Sequence, residues 1–71
     1  MVNKKVWRPF EEAREFARSL NLKNEDEWEQ YSTFGKDGIL KPNDIPVNPN
    51  RIYKNDGWKG WTDWLWNEEL A

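Results

Sequence analysis

Pro9-Phe10-Glu11-Glu12-Ala13-Arg14-Glu15-Phe16-Ala17-Arg18-Ser19-Leu20 is the stretch that decides the fold class of this 71-residue chain. Phe10, Ala13, Phe16, Ala17 and Leu20 recur at three- and four-residue spacing, which gathers them on one side of an α-helix. Pro9 suits the first helical position, where its missing N–H would have had no partner. Glu11, Glu12 and Glu15 complement the positive end of the helix dipole. Arg14 and Arg18 fall on another face, each three residues beyond a glutamate, Glu11 or Glu15, and the spacing favours pairing within the helix.

Downstream, Asn24 is placed to cap a second, shorter helix, with Glu27 reaching back in a capping-box-like arrangement and Leu22 as a packing anchor ahead of it. Trp28 and Tyr31 face the core, Glu25, Asp26 and Glu29 lie near the first turn, and Gly35 terminates the helix. From Gly35 to about Gly60 the helical period disappears. Pro42, Pro46 and Pro49 push their predecessors towards extended backbone, and Asn48-Pro49-Asn50 reads as a turn. Ile45, Val47, Ile52 and Tyr53 are apolar enough to pin this segment onto the helices as an ordered loop. Trp61, Trp64 and Leu65 then resume helical spacing, predicting a third helix to about Glu69.

Upstream and overall, composition agrees with a small aromatic-cored domain. A chain this short buries only about 60% of its unfolded surface, so large side chains must supply the core. Six Trp, two Tyr and three Phe provide them, each able to bury roughly 150–250 Å². Cys and His are both absent. Disulfides and thiolate or imidazole metal sites are thereby excluded, and no metal or other cofactor is expected. No apolar run approaches the ~20 residues of a membrane span, and Met1-Val2-Asn3-Lys4-Lys5 leads into Trp7-Arg8-Pro9 rather than a signal-peptide apolar region, so a cytoplasmic protein without a membrane partner is expected. The resulting reading is mainly α: a compact three-helix domain spanning 1–71, with a long Pro-containing ordered loop between helices 2 and 3. Trp28, Trp61 and Trp64 form the centre of its Trp-rich core.

The formal charge of −2 argues against a strong non-specific nucleic-acid binder, but charge is segmented along the chain. Residues 24–35 carry four acidic and no basic groups, whereas 36–60 carry five basic and three acidic. Within that second segment Arg51, Tyr53, Lys54, Trp58 and Lys59 interleave cations and aromatics, the composition of a surface that grips phosphates and stacks on bases. The plainer reading puts Tyr53 and Trp58 in the core and leaves Arg51, Lys54 and Lys59 as solvated charges; the need for buried aromatic area favours it. Arg8, Arg14 and Arg18 are further candidate phosphate contacts. Trp66, off the apolar stripe of the third helix, and Trp58, just before that helix, are the tryptophans expected at the surface and hence at a protein interface.

Other polar groups read as structural. Glu25, Asp26, Glu27 and Glu29 gather at a helix N-terminus, where acids stabilise the helix without any metal. Asp44, Asp56 and Asp63 occupy turn or cap contexts. An enzyme would have to work without His or Cys in a domain with little space for a pocket, so no catalytic residue is assigned.

The ordered set Pro9-Phe10-Glu11-Glu12-Ala13-Arg14, Leu20-Asn21-Leu22-Lys23, Glu27-Trp28, Tyr31, Asp44-Ile45-Pro46, Asn48-Pro49, Tyr53-Lys54, Gly57-Trp58 and Trp61-Thr62-Asp63-Trp64-Leu65 resembles the phage-integrase repeat unit. The resemblance covers about residues 7–65, leaving a short N-terminal tail, 1–6, and a C-terminal helix extension, 66–71. It departs from the family at Phe34 to Leu40, longer than the usual Ser-Gly-Lys linker, and after Leu65, where a Gly is usual and this chain continues Trp66-Asn67-Glu68-Glu69-Leu70. Such units occur in tandem arrays and beside recombinase- or nuclease-like domains; this chain holds one. The resemblance implies a non-catalytic accessory role in DNA recognition, with DNA, a recombinase or nuclease domain, or another copy of the unit as partner. Its mechanism would be phosphate contact by Arg51, Lys54 and Lys59 with Trp58 stacking or wedging; the alternative is a protein-interaction module using Trp58 and Trp66.

Overall fold

Helical periodicity in the first third of the chain and again near its end translates directly into architecture. In a computed structural model of the protein, residues 6–66 are described, and they form four helices: α1 (Phe10–Ser19), α2 (Glu25–Phe34), α3 (Pro49–Ile52) and α4 (Trp61–Leu65). The mainly helical reading holds. The loop differs in detail, because Pro49 at the first helical position starts a single turn, α3, within what reads as irregular sequence.

Helix α1 follows Pro9, whose carbonyl accepts from the Ala13 N–H at 2.9 Å, and ends where Asn21 takes a left-handed conformation at φ 59°. Its apolar stripe buries Ala13 and Ala17 completely, with Phe10, Phe16 and Leu20 packed at the edge of the core. In α2 the expected cap is present: Asn24 Oδ1 accepts from the Glu27 N–H at 3.0 Å. Glu27 Oε1 reaches back to the N–H of Lys23 at 2.9 Å, one residue earlier than a capping box requires. Gly35 closes α2 at φ 78°; a Cβ there would lie 2.5 Å from the Ile39 carbonyl oxygen, so only glycine fits the turn.

Trp64 is the hub of the core. Its ring centroid lies 5.6 Å from Trp28, 5.6 Å from Trp58, 5.9 Å from Tyr53 and 6.0 Å from Phe10. Trp28 and Trp64 are fully buried, whereas Trp61, expected beside them, is only partly buried and sits edge-on to Trp58 at 5.1 Å. The reason is geometric: α4 has five residues, so a stripe that already commits Trp64 and Leu65 inward leaves Trp61, at its first turn, on the rim. The Trp28 indole N–H is satisfied by the Val47 carbonyl at 2.9 Å; that of Trp64 has no hydrogen-bond acceptor among the described residues.

The long loop between α2 and α4 packs through Ile45, Pro46, Pro49 and Tyr53, all buried. Val47 and Ile52, expected to pin it, are 46% and 37% exposed; Val47 contributes its carbonyl rather than its side chain. Lys41 Nζ spans the loop to the Ile45 carbonyl at 2.5 Å. A second difference concerns the last helix. It stops at Leu65, and Trp66 is extended (φ −54°, ψ 135°), so the predicted helix does not run through 66; its expected continuation over 67–71 lies outside the described residues, as do 1–5 of the expected N-terminal tail.

Candidate nucleic-acid interface

Tyr53 organises the segment that the sequence singled out. It follows α3, its N–H bonds back to the Pro49 carbonyl at 2.9 Å, and its carbonyl accepts from the N–H groups of Asp56 (2.9 Å) and Trp58 (3.1 Å). Its ring is 3% exposed, stacked edge-on against Phe10 at 5.3 Å, and its hydroxyl donates to the Arg8 carbonyl at 2.5 Å. Burial pushes the phenol pKa up. Tyr53 is therefore a core residue with no face available to a base, which removes it from the candidate surface.

Trp58 reaches the same cluster from the other side of this turn. It is partly buried, with the rings of Trp61 and Trp64 against it, so only part of its surface is open to solvent. Gly57 lets the chain come this close to α1: a Cβ there would meet the Phe10 ring at 2.8 Å, and its φ of 116° suits only glycine. Arg51, Lys54 and Lys59 are exposed around this core, and none makes a side-chain hydrogen bond or ion pair among the described residues.

The arginines offered as further phosphate contacts behave differently. Arg8 forms a two-pronged pair with Asp44, Nε to Oδ2 and Nη2 to Oδ1, both at 3.0 Å, and its N–H donates to the Asp44 carbonyl at 2.9 Å. The Arg8 guanidinium, by these hydrogen bonds, holds the Asp44 carboxyl below the usual range. Arg14 Nη1 bonds Asp63 Oδ2 at 3.0 Å; Arg18 bonds both Asp63 Oδ1 (3.1 Å) and the Asp63 carbonyl (2.8 and 3.0 Å). The expected pairing with Glu11 and Glu15 is thus replaced by ion pairs that clamp α1 to α4. A planar fork meets a carboxylate and a C-terminal carbonyl better than it meets a flexible neighbour on its own helix. These three arginines are engaged in ion pairs within the fold, and Asp44 and Asp63 are the partners that local spacing could not reveal.

Trp66 is 41% exposed, as expected, although the Arg18 guanidinium lies 5.9 Å from its ring centre. The most exposed large apolar groups lie elsewhere, at Val6, Phe34, Ile39 and Leu40. Phe34, Ile39 and Leu40 flank a hairpin in which Lys36 and Ile39 exchange both backbone hydrogen bonds at 2.9 Å, with positive φ at Asp37 and Gly38. The Asp-Gly pair is the sequence signal that marks such a turn.

No helix among the described residues is long and apolar enough to cross a membrane. No group of three or more acidic side chains converges there on a position that could hold a metal ion. Compared with protein-family models, with curated proteins and with solved structures, the chain matches none.

Proposed function

We propose that this protein is a non-catalytic cytoplasmic module that associates with DNA through its phosphates, as an accessory to recombinase- or nuclease-type systems. The observation that carries the reading is the contrast among the cations. Arg8, Arg14 and Arg18 are occupied by Asp44 and Asp63, whereas Arg51, Lys54 and Lys59, around one turn, are exposed with no acid paired to them among the described residues. Unpaired cations on an ordered backbone release counterions from a phosphate backbone without first breaking an internal ion pair. The resemblance to the phage-integrase repeat unit supports the same reading. With Tyr53 buried and Trp58 partly buried against Trp61 and Trp64, the reading rests on contact to phosphates rather than to stacked bases, and little sequence preference is expected.

Titration of a fluorescein-labelled duplex across a series of salt concentrations tests this. Three phosphate contacts predict a slope of log K against log salt of about −3, falling towards zero in the Arg51→Gln/Lys54→Gln/Lys59→Gln variant. Absence of binding at low salt, or a slope the triple variant leaves unchanged, overturns the proposal.

A further inference from the structure

We propose that Asp37 is a site of spontaneous covalent modification: at Asp37–Gly38, and not at the chain's other Asp-Gly pair, Asp56–Gly57, the backbone isomerises through a cyclic imide to an isoaspartyl link. The reaction needs an aspartate whose carboxyl is uncommitted, a following amide nitrogen free to reach it, and room for the backbone between them to rotate. Asp37–Gly38 meets all three conditions. Both residues are exposed at the tip of the hairpin after α2. The Asp37 carboxylate has no ion pair and the Gly38 N–H no hydrogen bond among the described residues. No atom lies within 4 Å of the place a Cβ would take on Gly38, so nothing obstructs its movement. Asp37 is also held at φ 54°, a conformation that a residue with a Cβ adopts at a cost, and the single Lys36–Ile39 bridge is all that closes the turn. Local opening is correspondingly easy.

Asp56–Gly57 has the same two side chains and is exposed as well, but its backbone is fixed. The N–H groups on either side of Gly57, those of Asp56 and Trp58, both donate to the Tyr53 carbonyl, at 2.9 and 3.1 Å, and Tyr53 is buried. Gly57 itself is packed so closely that a Cβ would meet the Phe10 ring at 2.8 Å. Rotation there breaks backbone hydrogen bonds and moves chain against the core. At Asp37 the Gly38 nitrogen attacks the side-chain carboxyl carbon. A C–N bond forms, the carboxyl C–OH bond breaks, and the hydroxyl leaves with the amide proton as water. Water then adds to the imide: opening at the side-chain carbonyl restores aspartate, whereas opening at the main-chain carbonyl leaves the chain running through the side chain. Water is the only co-reactant, and nothing is oxidised or reduced. The isoaspartyl product adds a methylene to the main chain of a two-residue loop, whose geometry has no slack for it. The Lys36–Ile39 exchange is then lost, and with it the tie from Lys36 Nζ to the Leu20 carbonyl that holds the hairpin to the end of α1.

Incubation of the whole folded chain at neutral pH in heavy-oxygen water tests the proposal, because every passage through the imide incorporates a heavy oxygen. Trypsin then places Asp37 and Asp56 in different peptides, and mass spectrometry with electron-transfer fragmentation reads label and isoaspartate in each. Both are expected to accumulate about tenfold or more faster at Asp37 than at Asp56, and to vanish from the first peptide in Asp37→Glu, whose longer side chain closes the ring poorly. In concentrated urea the two sites should react at comparable rates, since the Tyr53 hydrogen bonds that protect Asp56 are gone. Three results each overturn the proposal: no isoaspartate at Asp37 in the folded chain, equal accumulation at Asp56 in the folded chain, or an Asp56 that stays unreactive in urea. The last would show that its protection does not come from the fold.

Discussion

Asp63 receives two arginines at once, and its side chain and carbonyl together accept four hydrogen bonds from Arg14 and Arg18. The groups are only partly exposed, with about a quarter of the Asp63 side chain in contact with solvent. Asp63→Ala is expected to lower the unfolding free energy by about 1–2 kcal/mol in urea denaturation, since it removes charge-assisted bonds and leaves two guanidinium groups facing each other. Arg14→Ala should cost less, because Arg18 keeps its grip on the Asp63 carbonyl. These partners were not legible in the sequence. Glu11 lies three positions from Arg14 and Asp63 forty-nine, yet the distant residue wins because folding places its carboxylate within bonding distance of both arginines. Tyr53 illustrates the opposite case, where the need for buried aromatic area argued for the core from composition alone.

At the scale of elements, the signals that proved readable are those that act within one turn. Asn24 caps α2 through the Glu27 N–H, so Asn24→Ala is expected to destabilise the protein by about 1 kcal/mol, with Asn24→Asp close to neutral. Comparison of urea midpoints checks both. Helix α1 was equally legible, since ten residues of consistent periodicity, a proline before them and acids in the first turn all agree. Helices α3 and α4, of four and five residues, are too short to persist on their own. They exist because Pro49, Trp64 and Leu65 are buried against the rest of the molecule. Their limits were therefore hidden from local reading, and so was the end of α4 at Leu65.

Across the whole molecule, aromatic rings take the place that aliphatic side chains hold in larger cores. A continuous series runs from Phe16 through Tyr31 and Trp28 to Trp64, then to Phe10, Tyr53 and Trp58. Two of its members titrate, which gives stability a pH profile. Burial raises the pKa of Tyr31 and Tyr53 above the ordinary 10.0, so their neutral form is favoured on folding; that stabilisation is complete below pH 10.0 and is lost as pH rises through the folded values. The Asp44 carboxyl is depressed below 3.8 by Arg8, so its contribution is present above that pH and lost as pH falls further. Urea midpoints should form a plateau at neutral pH and decline on both sides. A midpoint still rising above pH 10.0 would contradict the burial of the two phenols.

What the sequence by itself determined is the class of fold and its material: a mainly helical domain, two helices with their caps, a core of Trp and Tyr, and a chemistry without thiol or imidazole. These follow from periodicity, capping and composition, which act over a few residues or over the chain as a sum. Only the tertiary structure decided which cations remain available. Arg14 and Arg18 read from local spacing as partners of Glu11 and Glu15, and Arg8 had no partner in view, until Asp44 and Asp63 arrived from distant positions. It likewise decided which apolar groups face outward, since exposure at Phe34, Ile39 and Leu40 depends on how the hairpin leaves α2. Pairing and exposure are properties of proximity in space, and chain separation carries little information about either.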